Sequence, residues 1–226
     1  MKEKNNKSHL VWWVWGMLTL LVPLALALIF WNQMPEKIPT HWNIYGEADD
    51  YSNKTSGVIF ISLLNVGLYL LFWLLPKIDP KRNFDKFNKP YRWIIFSITT
   101  FISILHCFVI LQAAGFQFSM SKAMLTIILI LLIIVGNFLG KLRPNYFVGI
   151  RTPWTIENET VWVKTHRLGG RIWVSVALLT LILLFVTNLS FVILIPMLII
   201  MVVVPLVYSY ILYKQIPVSN RIGGML

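Results

Sequence analysis

Long apolar runs alternate with short polar segments along the chain. The runs lie at about 10–31, 57–75, 93–111, 123–139, 172–186 and 191–212. A helix needs about 20 apolar residues to cross a hydrocarbon core of about 30 Å. The run at 172–186 is short and would draw on its flanks to span. The pattern predicts an all-α membrane protein, a bundle of six transmembrane helices. Pro23 removes a backbone donor inside the first run, which predicts a kink there. The competing reading of this first run is a secretory signal peptide. Lys2, Lys4 and Lys7 precede it, and Ala25-Leu26-Ala27 mimics a cleavage site. The run is longer than a signal core and contains the Ala-x-Ala triplet within it, so a span is expected.

The polar segments set the orientation. With the N-terminus inside, the inner segments hold 17 of the 20 Lys and Arg residues, and the outer loops hold only Lys37, Lys54 and Lys122. Basic residues favour the cytoplasmic side, so an N-in/C-in topology is expected. The same distribution explains the net charge of +11. Charge spread between apolar runs suits anionic lipid better than nucleic acid, and no direct nucleic-acid partner is expected. Hydrophobic residues make up 57%. That exceeds the roughly 45–50% usual for soluble domains, and the excess sits in the runs. A single cysteine, Cys107, excludes an internal disulfide framework and a cysteine-based zinc site.

Two units are expected: a two-span unit at 1–75 with a polar outer loop at 32–56, and a four-span unit at 76–226. No Asp, Glu, Lys or Arg falls inside a run, which weighs against an ion-coupled transporter. The intramembrane polar groups are Asn65, His106, Gln112 and Asn137, and each is expected to make an interhelical hydrogen bond.

The segment at 137–173 is the longest polar interruption in the second half. It carries Lys141, Arg143, Arg151, Lys164, Arg167 and Arg171, together with Tyr146, Trp154, Trp162, Trp173 and His166. Two glycines and a proline in 140–151 predict a shaped loop, whose basic residues suit lipid phosphate, a carboxylate or an acidic partner. Thr152-Pro153 is a helix start and Gly169-Gly170 a matching stop. The predicted helix at about 153–168 places Trp154, Asn158, Trp162 and His166 near one face, joined by Thr165. Such a helix would lie in the inner interface or plug the inner end of the bundle.

The outer loop gathers His41, Trp42, Asn43, Tyr45, Glu47, Asp49 and Asp50. Residues 38–43 are expected to be extended before a turn at Gly46. Aromatic residues beside carboxylates suit a cationic, partly apolar peptide, while a cap over helix ends is the plainer reading. The carboxylate spacing does not match a calcium loop.

Enzymatic chemistry has little support. Glu159 and His166 share a helical face, but there is no HExxH pair, no second histidine nearby and no evident Ser or Cys nucleophile with a base. No metal or cofactor is expected. A membrane hydrolase using His166 with Glu159 or Glu157 stays open as an alternative, as does a small-molecule or peptide exporter.

The residues Gly136-Asn137, Gly140-Lys141, Arg143 through Thr155, Val161-Trp162 and Thr165 through Gly170 resemble the signature of the SdpI-type immunity proteins of Gram-positive bacteria. Met34-Pro35, Ile38 through Trp42 and Gly46 resemble a small N-terminal domain of unknown function that often precedes it. The resemblance implies a multi-pass plasma-membrane protein that protects its producer from a secreted antimicrobial peptide. It also implies a receptor role, in which a cytoplasmic repressor of the ArsR type is held at the membrane. On this reading, Asn137, Lys141, Arg143, Asn145, Arg151, Trp154, Asn158, Trp162, Thr165 and His166 form the signalling surface. The outer loop residues named above would meet the toxin.

Overall fold

The computed structural model describes residues 2–43, 45, 47–187 and 191–217. The predicted turns at Gly46 and 188–190 lie outside the described residues. The elements are α1 (Lys2–Phe30), strands β1 (Lys37–Trp42) and β2 (Ala48–Asn53), α2 (Lys54–Ile78), α3 (Asn88–Ala113), α4 (Met120–Leu139), α5 (Pro153–Glu157), α6 (Glu159–Val186) and α7 (Leu194–Gln215). Short 3₁₀ turns precede α3 and α7. Among the described residues five helices are long and apolar enough to cross a membrane: α2, α3 with its leading turn, α4, α6 and α7. In α1 the apolar stretch is shorter, Val14–Phe30. By contact the chain divides into two compact units, Met1–Phe72 with Phe96–Ile128, and Trp73–Ile95 with Leu129–Leu226.

In the first unit, Pro23 has no N–H to offer the carbonyl of Thr19 one turn earlier. The side-chain amide of Asn65 on α2 donates to that carbonyl at 3.2 Å and to the Thr99 carbonyl on α3 at 3.5 Å. An apolar surrounding offers no water to do this, so the proline requires a polar side chain on a neighbouring helix. Asn65 therefore makes the interhelical bond its position predicts. The other three intramembrane polar groups depart from that expectation. His106 Nε2 and Gln112 Oε1 are buried without a hydrogen-bond partner, and Asn137 is exposed.

The all-α expectation needs correcting at the loop between α1 and α2. β1 and β2 form an antiparallel hairpin in which Pro39 stands opposite Tyr51. Pro39 cannot donate to the ladder, and the register becomes irregular between Pro39 and Trp42. Ile38 is fully buried among Ala27, Met34, Val58, Val109, Ile110 and Met120. Removing that side chain from water contributes about 2–3 kcal/mol and fixes which face of the hairpin points inward. The base is tied as well. Lys54 Nζ pairs with Glu36 at 3.3 Å, and Asn53 Oδ1 accepts the Thr55 N–H at the start of α2.

In the second unit, α7 repeats the proline device of α1. Pro205 leaves the Met201 carbonyl without its helical donor, and the indole N–H of Trp173 on α6 donates to it at 2.9 Å. On the α4 side of the same helix, a Cβ at Gly170 would stand 2.6 Å from the Gly136 carbonyl oxygen. Gly170 is thus a site of close helix approach, and the predicted stop at Gly169-Gly170 is absent. α6 runs unbroken from Glu159 to Val186. The predicted helix at 153–168 breaks instead at Asn158, whose backbone is extended. Asn158 closes α5 through its N–H on Trp154 O and opens α6 through Oδ1 on the Val161 N–H.

The two proline devices predict a testable coupling. Asn65→Ala is expected to cost about 1 kcal/mol of stability in detergent, in the range found for hydrogen bonds between membrane helices. In a Pro23→Ala background, where residue 23 regains its N–H, the same change should cost much less. Equal losses in both backgrounds, read from thermal unfolding midpoints, would exclude this role for Asn65.

Candidate functional site

The segment after α4 has no regular structure between Lys141 and Thr152, so its backbone groups need other partners. Asn145, fully buried, supplies four. Its Oδ1 accepts the N–H groups of Phe147 and Val148, and its Nδ2 donates to the carbonyls of Arg143 and Val148. The first helical turns of α6 supply more. Trp162 Nε1 donates to Leu142 O at 3.0 Å. His166 Nε2 accepts the Ile150 N–H at 2.9 Å, and its Nδ1 lies 2.8 Å from Trp162 O. A nitrogen that accepts an N–H carries no proton. The hydrogen must therefore sit on Nδ1, where it is donated to the carbonyl. Both ring nitrogens of a neutral imidazole are thus engaged. The ring also stacks on Trp162, centroids 4.0 Å apart.

Gly149 makes this contact possible. Its φ of +114° suits glycine alone, and a Cβ there would collide with His166 Nε2. Beyond the loop, Thr152 and Thr155 form a reciprocal capping box at the start of α5, as the Thr-Pro pair predicts. Thr155 Oγ1 also donates to Ile150 O at 2.8 Å. Trp154 leaves this cluster and reaches α7, where Nε1 donates to Ser209 Oγ at 2.8 Å and the ring packs on Tyr210.

The expected shared face of Trp154, Asn158, Trp162 and His166 does not form, because the break at Asn158 puts Trp154 on a separate helix. Trp162, Thr165 and His166 are buried rather than displayed, and Thr165 Oγ1 has no partner. Lys141 and Arg151 are exposed, with Arg151 Nη1 donating to Tyr146 O. The Arg143 side chain is half-buried.

A second chain segment completes this site, and sequence reading passed over it. Asp79, buried at 2% exposure, accepts the Tyr146 N–H on Oδ1 at 3.1 Å. Lys81 Nζ donates to Ile156 O at 2.8 Å, and Asn83 Nδ2 to Pro144 O at 2.9 Å. The turn is Asp79-Pro80-Lys81-Arg82, closed by the Arg82 N–H on Asp79 O. Asp followed by Pro is a recognised turn opening. That signal was legible, but nothing in it named the loop about 65 residues later as the partner.

The hairpin cluster is a turn ordered by Asn43. Its Oδ1 accepts the N–H groups of Tyr45 and Glu47, and its Nδ2 donates to Glu47 Oε2. His41 Nδ1 and Asp49 Oδ1 are 2.6 Å apart and exposed. Asp50 Oδ1 accepts the Tyr51 N–H. Trp42 differs from its neighbours, since it packs against the core beneath the hairpin. Among the described residues no three His, Cys, Asp or Glu side chains converge as a metal site would require.

Residues 141–209 match the SdpI/YfhL protein family. The signature segment thus carries a likeness to that family. Residues 18–66, which include the hairpin, match a domain of unknown function (DUF1648). The chain is 26% identical over 196 residues to the Immunity protein SdpI of Bacillus subtilis (strain 168), covering 84% of this chain and 90% of the relative. No solved structure matches it. With its apolar helices, the SdpI relationship establishes a multi-pass bacterial membrane protein. The SdpI match begins at Lys141, where α4 gives way to the loop just described.

Gly149→Ala tests the loop. Gly115 also has a positive φ, +96°, but nothing lies within 4 Å of a Cβ there. Both substitutions should incur the backbone strain of about 1–2 kcal/mol. Gly149→Ala should lower the unfolding midpoint further, because it also displaces His166. Equal shifts would remove the Gly149–His166 contact from the account.

Proposed function

We propose that the protein is a membrane immunity protein that protects its cell from a secreted antimicrobial peptide. It would also act as a receptor that holds a cytoplasmic repressor of the ArsR type at the membrane. The observation that carries this reading is the match to the Immunity protein SdpI across both the hairpin and the signature loop. In this reading the apolar stretch of α1 is a sixth span, and both termini lie inside. The hairpin is then outside, and the 141–151 loop is cytoplasmic. The asymmetry of basic residues supports that orientation.

The exposed hairpin turn gives the toxin a surface. His41, Tyr45, Glu47, Asp49 and Asp50 are accessible there, and the carboxylates suit a cationic peptide. The signature loop cannot meet an external peptide, so a receptor role needs a link between them. α2 starts at Lys54, directly after β2, and ends at Ile78, one residue before Asp79. Asp79 in turn holds Tyr146. Toxin must favour one of two arrangements of these parts for a signal to pass.

His166 counts against the hydrolase reading. Its ring is buried and committed at both nitrogens, which leaves no lone pair for a base.

The hairpin half of the reading is tested in a toxin-sensitive host challenged with candidate peptides. His41→Ala combined with Asp49→Ala should lower survival at least about tenfold, the equivalent of about 1.4 kcal/mol of lost binding. Membrane levels of the protein should be unchanged, since both side chains are exposed. Survival equal to the wild type would take the turn out of toxin contact.

A further inference from the structure

The two strands of the hairpin have unequal free edges. The Lys54 N–H donates to Glu36 O at 2.9 Å, one step beyond the opposed residues Lys37 and Asn53. Main-chain bonding alternates along an antiparallel ladder. With Glu36 and Lys54 bonded, Ile38 and Ser52 form the next bonded pair, and Lys37, Pro39, Tyr51 and Asn53 turn their main-chain groups outward. On β1 that outer edge is interrupted at Pro39, which has no N–H. On β2 it runs through Asp49, Tyr51 and Asn53, since outward positions recur every second residue. The Tyr51 N–H is held there by the side chain of its own neighbour, Asp50 Oδ1, at 2.8 Å. Among the described residues nothing bonds to Tyr51 O or to the Asn53 N–H on that side.

The side chains decide what such an edge accepts. Asp49, Tyr51 and Asn53 share one face of the strand, and all three are exposed, as is Asp50. Residues 43–53 carry Glu47, Asp49 and Asp50 and no Lys or Arg. An exposed edge strand is a template for pairing with another chain. A second copy of this chain would bring the same carboxylates to the edge, and like charges crowded across a ladder oppose pairing. A cationic strand meets the opposite condition. Main-chain bonds give it affinity, and a basic side chain beside Asp49 gives it selectivity.

We propose that the β2 edge binds a cationic peptide as a third, antiparallel strand. The proposal rests on the reading of this hairpin as the part that meets the toxin, and adds the conformation of the bound segment. The peptide is extended, with a basic residue at every second position. Those residues stand opposite Asp49, Tyr51 and Asn53. In a bonded antiparallel pair, opposed residues share a face. The basic residues therefore supply both the side chains on the acidic face and the main-chain groups that bond to β2. Binding displaces Asp50 Oδ1 from the Tyr51 N–H and frees that carboxylate for a basic side chain. The apolar residues between point to the other face, that of Ser52 and Ile38, which both lie against Gly57 at the start of α2.

The test uses the purified full-length protein in a non-ionic detergent and a fluorescent Lys-Val-Lys-Val-Lys-Val hexapeptide, as long as β2. Fluorescence anisotropy should show binding of this peptide and none of its Glu-Val counterpart. N-methylation of the lysine amides removes the bonding N–H groups and keeps every charge. It should weaken binding at least about tenfold, through the loss of several main-chain bonds. N-methylation of the valine amides, which point away from β2, should leave binding unchanged. On the protein, Tyr51→Pro removes an outward N–H and should weaken binding, while Tyr51→Phe should bind as the wild type does. The unfolding midpoint of Tyr51→Pro should match the wild type, because that N–H takes no part in the ladder. The two methylated peptides decide the matter on the unaltered protein even if it does not. Equal binding of the lysine-methylated and valine-methylated peptides overturns the proposal, since charge alone would then hold the peptide. So does absence of binding by the unmodified peptide, or a dimer in light scattering that Tyr51→Pro dissolves. The assay reads binding to purified protein, so its failure is distinct from a failure to protect a toxin-challenged cell.

Discussion

A backbone group that loses its helical partner in an apolar surrounding has to find another within the protein, and much of this molecule answers that demand. Pro23 and Pro205 each free one carbonyl inside a helix, and each carbonyl is met by a side-chain N–H from a neighbouring helix. The loop after α4 multiplies the same problem over a dozen residues. There Asn145, Trp162, His166, Asp79 and Asn83 all bond to main-chain groups. The polar residues of the signature segment therefore act first as internal solvent. A buried group left unpaired would cost about 1–3 kcal/mol, so removing any one of them damages the loop before it damages any surface.

This changes what the signature offers to a partner. Residues that look like a recognition face in a linear reading are committed inside. Those that remain outside include the cations Lys141, Arg151, Lys164, Arg167 and Arg171, with the carboxylates Glu157 and Glu159 beside them. A partner that met this segment would depend on their arrangement and on the shape of the loop they border. The hairpin is organised the other way round. Ile38 anchors it below, and its acidic turn stays accessible.

The sequence was most legible where one local signal has one physical meaning. Apolar runs gave the spans α2, α3, α4, α6 and α7, because hydrocarbon thickness leaves few other options. Thr152-Pro153 gave a helix start that the capping box realises. It was least legible where a residue type serves two purposes. Gly169-Gly170 reads equally as a helix stop or as a place of close approach. The deciding fact is Gly136, more than 30 residues away. Asn158 is ordinary inside a polar helix face, yet here it ends one helix and starts the next. That break undid the predicted alignment of Trp154 with Trp162. Extended chain at 38–42 was visible, but its partner strand ADDYSN lacks the β-branched residues that usually announce one.

α6 has a consequence of its own. The same uninterrupted helix carries Trp162 and His166 against the loop, Gly170 against Gly136, and Trp173 against Met201. A rigid helix cannot turn at one end and stay still at the other. Loop and span thus share a single torsional degree of freedom. A twist of α6 large enough to open the Ile150–His166 bond would also drag the span off its glycine contact, so the loop and the span should rearrange together or not at all.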